Sequence, residues 1–131
     1  MPAETTSSIK ADLTVPCVPT TIKAGVSINP ATHESNLEYV LDYCDIILIM
    51  LVNPGFGGQK TITSQIRKLE RVRSLIDKNG RKIKLEVDGG VNKDNSKSLF
   101  DAGADILVAG NSIFKEGPEF YKRNILNLKN F

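Results

Sequence analysis

Tryptophan is absent from these 131 residues, histidine occurs once, and aromatics make up only 6% of the chain. With a net charge of +2, the sequence has neither the basic footprint nor the stacking surface of a nucleic-acid binder, so nucleic acid is excluded as a main partner. No run reaches the ~18 apolar residues of a membrane span, which argues against a membrane partner. The first 21 residues contain no continuous apolar core of the secretory kind and no arginine, and the expected location is the cytoplasm. The two cysteines, Cys17 and Cys44, stand far apart with no CxxC pair. That spacing argues against zinc and fits reduced, buried thiols. A lone histidine, His33, is a poor start for a metal site and is expected at a solvated helix start.

What the chain does contain is an ordinary globular composition, 40% apolar and 24% charged. Residues 1–22 are rich in Thr, Ser and Pro without a period, and a poorly ordered lead-in is expected there, with "ADLTV" a short strand at most. From Lys23 the texture changes, and 23–131 reads as one unit. Four apolar runs, "AGVSI" (24–28), "DIILIMLV" (45–52), "IKLEVD" (83–88) and "DILVAG" (105–110), have the composition of buried strands. Helical patterns follow each: Leu37, Val40 and Leu41 after the first; Ile66, Leu69, Val72 and Ile76, stopped by Gly80, after the second; "DNSKSLFDAG" after the third; "PEFYKRNILNLK" after the fourth. The charge run "RKLERVR" (67–73) reads as a solvated helix face. Apolar strands alternating with amphipathic helices predict an α/β fold with a parallel sheet.

All strand-to-helix turns of such a sheet lie at its carboxyl edge. Three of them carry glycine: "NPGFGGQ", "DGGV" and "AGNSIF". Glycine turns beside helix starts expose backbone N–H groups that suit a phosphate, although each turn alone could simply be tight. Asp88 closes a strand and is expected in the same pocket, as a metal ligand, an acid or base, or a helix cap. Met50, on the strand before the first loop, fits the core or the pocket floor. Asn92, Lys93 and Asp94 read as a helix entry.

The segments "MLVNPGFGGQ", "LEVDGGV" and "DAGADILVAGNSIF", in this order and spacing, resemble the ribulose-phosphate 3-epimerase family from about Lys23 to the C-terminus. The resemblance implies a partial TIM barrel, four βα units matching strands five to eight of a (βα)8 barrel. It implies an isomerase of the pentose phosphate pathway that interconverts D-ribulose 5-phosphate and D-xylulose 5-phosphate. By the same resemblance Met50, Gly55, Phe56, Gly57, Gly58, Asp88, Gly89, Gly90, Gly110 and Asn111 would contact this pentose phosphate substrate. Many members carry Ser where this chain has Asn111, and Leu51 replaces a small hydroxyl residue. Asp88 would be both an acid/base group and a ligand of one divalent metal ion of the Zn, Fe, Mn or Co class. The family's other metal ligands and second aspartate belong to the first half of its barrel, which these residues do not match. Activity is therefore expected only if another chain supplies that half. The expected partner is a second copy in a homo-oligomer, which would pair the open edges without restoring catalysis, or a complementary N-terminal half. The alternative is a catalytically incomplete phosphosugar-binding or interaction half-barrel.

Overall fold

The computed structural model describes residues 22–130. The lead-in expected over 1–22, its "ADLTV" strand and Cys17 lie outside the described residues, apart from Ile22. Four parallel strands form one sheet: β1 (Gly25–Ile28), β2 (Ile46–Met50), β3 (Lys84–Asp88) and β4 (Ile106–Val108). They lie side by side in chain order, each offset by one crossover. Crossovers in a parallel sheet share one hand, and with sequential strand order that single hand puts every connection on the same face. The sheet is wound one way, as in the wall of a barrel.

The burial pattern follows from this. Ile28, Ile47, Ile49, Leu85 and Val87 are buried in one core with Leu69, Val72 and Ile76 of α1 (Gln65–Asn79), Leu99 of α2 (Ser96–Asp101) and Leu128. The alternate strand positions face the other way. Ile46, Leu48, Met50, Glu86 and Asp88 are only half-buried, and Ser27, Lys84, Ile106 and Val108 are exposed. Side chains alternate across a strand, so the sheet has one covered face and one open face. The outer edges of β1 and β4 have no strand partner among the described residues.

The expected strands form, each shorter than its apolar run. α1 ends as its sequence implies, with Gly80 in the left-handed conformation at φ 79° and its N–H donating to Ile76 O. The connection after β1 differs from expectation. Leu37 and Leu41 sit in two short 3-10 turns, Glu34–Leu37 and Leu41–Tyr43, with Val40 between them, and not in an α-helix. Three apolar positions across so short a span do not propagate a helix without more packing. Leu37 and Leu41 still reach the core. After β4 there is one more short helix than expected, α3 (Asn111–Phe114), before a 3-10 turn at Pro118–Phe120 leads into α4 (Tyr121–Lys129).

The "RKLERVR" run is not simply a solvated face. Lys68 is buried, and its Nζ donates to three backbone carbonyls, Asn29 O at 3.1 Å, Pro30 O at 2.6 Å and Thr32 O at 2.8 Å. The ammonium thus ties the loop after β1 to α1, and burial pushes its pKa down. Arg71 donates from Nε to Glu34 Oε1, and this hydrogen bond holds the buried Glu34 carboxyl below the usual glutamate range. Periodicity marks the apolar stripe of a helix but does not show when a neighbouring loop turns its carbonyls toward the flank.

Two stability effects follow. Lys68→Met leaves the Pro30 and Thr32 carbonyls without a donor, Asn29 O keeping that of Thr32 N, and is expected to cost about 2–3 kcal/mol in denaturant unfolding. The Glu34 contribution is fully present above the ordinary glutamate pKa and is lost as pH falls through its lowered folded value. Glu34→Gln should flatten the acid limb of a stability-against-pH curve; an unchanged acid limb would mean that the pair with Arg71 contributes nothing.

Candidate active site

Met50 pairs in register with Asp88, and Asp88 with Val108, so three side chains stand in one row where β2, β3 and β4 end. The turns that follow these strands enclose a cleft of about 780 Å³. Met50, Gly55, Phe56, Gly57, Gly58, Asp88, Gly89, Gly90, Gly110 and Asn111 all line it. The sheet edge therefore brings together all ten residues that the family resemblance implies as substrate contacts.

The turns are stitched to one another. Leu51 N donates to Asp88 O at 2.7 Å, continuing the ladder past the strand ends. Thr61 Oγ1 donates to Gly89 O at 2.8 Å. Asn95 Nδ2 donates to both Thr61 Oγ1 at 3.1 Å and Gly90 O at 3.0 Å, and Asn92 Nδ2 donates to Gly90 O at 3.0 Å. Ser112 Oγ donates to Val91 O, tying the third turn to the second. Gln59 Nε2 spans the first turn itself, donating to Asn53 O at 2.8 Å and Phe56 O at 3.0 Å. Of these bracing residues, Gln59 and Ser112 fall within the glycine motifs and Asn92 reads as a helix entry, while Thr61 and Asn95 carried no signal of their own in the sequence.

The glycines divide into two physical kinds. Gly90 has φ 68°, and a Cβ there would stand 2.5 Å from Thr61 N and 2.6 Å from Gln59 O. Its lack of a side chain is dictated by the chain itself, because the backbone after the first turn presses against it. At Gly57 and Gly110 a Cβ would meet nothing within 4 Å, and φ is not positive. Nothing in the fold requires glycine at these two places. The N–H groups of Gly57, Gly58, Asn111 and Ser112 have no acceptor among the described residues. Gly58 also faces Asn111, with Nδ2 3.9 Å from the Gly58 Cβ position. The outcome is a concave patch of free donors with room for a guest.

Among the described residues, three ionisable side chains line the cleft, Lys60, Asp88 and Lys115. Asp88 is half-buried and its carboxylate has no hydrogen-bond or ion-pair partner among the described residues, so it is not a helix cap. An unengaged carboxylate can take a proton or a cation. It does not make a metal site alone: no group of three or more His, Cys, Asp or Glu stands together among the described residues. His33 lies away from the cleft as an exposed cap of the turn after β1, with Nδ1 3.0 Å from Ser35 Oγ. The described residues therefore do not complete a metal ligand set.

Comparison with known proteins bears on the same residues. The model of the ribulose-phosphate 3 epimerase family matches residues 4–114. That match begins inside 1–22 and runs through all three glycine turns. A ribulose-phosphate 3-epimerase of Serratia marcescens is 55% identical over 100 residues, 76% of this chain and 47% of that protein. One from Bacillus subtilis is 47% identical over 94 residues, 71% of this chain and 43% of that protein. A chloroplastic ribulose-5-phosphate-3-epimerase of Arabidopsis thaliana is 47% identical over 107 residues, 82% of this chain and 37% of that protein. The chain spans about half or less of the length of these curated relatives. No helix among the described residues is long and apolar enough to cross a membrane.

The two kinds of glycine are separable by substitution. Gly90→Ala combines a left-handed φ with backbone overlap and is expected to cost about 3 kcal/mol or more of stability. Gly57→Ala should leave stability within about 0.5 kcal/mol while filling the space beside the free amides, so phosphate binding falls and the melting temperature does not. A Gly57→Ala protein that binds phosphate as the parent does would show that the open space is not a ligand seat.

Proposed function

The chain belongs to the ribulose-phosphate 3-epimerase family, and on that premise we propose that its cleft holds the phosphate and carbon 3 of a pentose phosphate during interconversion of D-ribulose 5-phosphate and D-xylulose 5-phosphate. The observation that carries this reading is the meeting, in one cleft, of acceptor-free amides at Gly57, Gly58, Asn111 and Ser112 with the unpartnered Asp88 carboxylate. Barrel enzymes commonly seat phosphate on the loops after their last two strands, and β3 and β4 have that place by resemblance. Gly55, Phe56, Gly89 and Gly90 form the walls in this reading, and Met50 packs beside the sugar.

Epimerisation removes a proton from the carbon next to a carbonyl and returns one to the opposite face. Asp88 is one of the two groups this requires. Its carboxylate oxygen accepts the carbon 3 proton from one face, or delivers a proton to that face in the reverse direction. The phosphate anchor fixes how far carbon 3 stands from that oxygen, which is the positioning part of the catalysis. The second acid/base group would come from the remaining strands of the barrel, joined in cis or in trans along the open edges of β1 and β4. The half-buried inner row of Ile46, Leu48 and Met50 gives those strands an apolar surface to pack on. Asp88 offers one ligand to a divalent ion of the Zn, Fe, Mn or Co class; the described residues do not complete the set, and no step is assigned to the ion. A cytoplasmic setting suits Cys44, which is free and buried with its thiol pKa pushed up by burial.

The reading is tested by proton NMR of ribulose 5-phosphate in deuterated water. These 131 residues alone should give no exchange at carbon 3. Adding the N-terminal half of the Serratia relative should bring exchange and xylulose 5-phosphate together, and Asp88→Asn should reduce both by roughly 10²- to 10⁴-fold. Turnover by the 131 residues alone that survives Asp88→Asn would contradict the assignment.

A further inference from the structure

Lys60 and Lys115 are the two cations of the cleft among the described residues, and the proposed chemistry leaves both unused. They belong to two different turns of the cleft, the first and the third. Lys60 follows directly on the first glycine turn. Lys115 lies four residues beyond Asn111 and donates its N–H to Asn111 O. Residues four apart share a helical face, and the Cα–Cβ bond in a helix tilts toward the N-terminus. The Lys115 side chain therefore leans back over Asn111 and Gly110, toward the place where Asn111 meets Gly58.

Neither ammonium makes a hydrogen bond or an ion pair with a described residue, although the charge of Lys115 also acts on its neighbour Glu116. Lys23, Lys84 and Lys97, by contrast, all pair with aspartates. Glu116, beside Lys115 in sequence, is occupied: Arg123 Nη2 donates to its Oε2 at 2.6 Å. That same Arg123 is further fixed over the Phe120 ring at 4.3 Å. Lys115 lines both the main cleft and the small polar cleft that holds Arg123, so its exposed head is within the wall that the two share.

The charge balance gives these lysines a task. A phosphate monoester carries about −1.5 to −2 near neutral pH. Backbone amides offer dipoles without net charge, and Asp88, in the same cleft, repels an anion. We propose that Lys60 and Lys115 close over the bound phosphate as a pair of side-chain cations, adding charge to a grip otherwise made of backbone N–H groups. They are binding residues, not proton carriers. This inference rests on the reading of the cleft as a phosphate seat, and it makes the affinity depend on salt, because exposed charges are screened within about 8–10 Å at physiological ionic strength.

The test uses the full chain and inorganic phosphate, followed through the amide signals of Gly58 and Asn111 at low and high sodium chloride. Lys60→Met and Lys115→Met should each weaken binding by roughly two- to fivefold at low salt. The double variant should lose most of the salt dependence, and Lys115→Arg should restore the affinity lost in Lys115→Met. Unchanged melting temperatures would exclude unfolding as the cause. If the double variant binds phosphate with the parent's affinity and salt dependence at the same amides, the lysines are outside the grip while the phosphate seat stands. If the parent itself gives no shift at those amides, the phosphate seat falls and the inference falls with it.

Discussion

The contact on which the site depends is backbone against backbone: residues Gln59 to Thr61 pressed onto Gly90, with no room for a single methyl group between them. Around that contact Thr61, Asn92 and Asn95 satisfy the carbonyls of Gly89 and Gly90. A buried carbonyl without a donor costs about 1–3 kcal/mol, so the three side chains and the close approach support each other. Together they fix the first glycine turn relative to the end of β3, and hence relative to Asp88. The third turn joins through Ser112 and Val91. A seat for a small anion needs its donors held to within fractions of an ångström, and here the polar bracing lies behind the donors and leaves them free.

The sheet divides the remaining work. Its covered face carries the energetics: Ile47, Ile49, Leu85 and Val87 pack with α1 and α2 in one continuous core. Its other face presents half-buried and exposed positions in alternating register. Sequential parallel order sets both facts at once, since all crossovers fall on one side and all the glycine turns on one edge. Lys68 extends this arrangement to the loop after β1 by gathering three of its neighbourhood's carbonyls. The family match explains why such an edge is assembled in a chain that spans about half or less of its relatives' length.

Much of this was readable in the sequence because it depends on periodicity and glycine. The four apolar runs, the α1 stripe ending at Gly80 and the three glycine turns all appear where the pattern puts them. The ten expected site residues meet because parallel topology leaves them no other edge, though the role of each is a proposal. The less legible features come from contacts distant in sequence. The segment around Leu37 and Leu41 has helical spacing but folds as 3-10 turns. Lys68 sits in a charged run yet is buried by carbonyls almost 40 positions away. Thr61 and Asn95 look like ordinary polar residues until the turns close around them. Glycine in a motif also hides two causes, and only the structure separates Gly90, crowded by its own chain, from Gly57 and Gly110, which face empty space.

The central claim is that the acceptor-free amides at the carboxyl edge are a seat for the phosphate of a pentose phosphate. The most direct measurement compares D-ribulose 5-phosphate with unphosphorylated D-ribulose in amide NMR titrations of the same protein. The phosphate ester should bind saturably and shift Gly57, Gly58, Gly110 and Asn111 together, while the neutral sugar leaves them in place. Equal responses to both sugars, or shifts from the phosphate ester confined to other parts of the molecule, would contradict the claim.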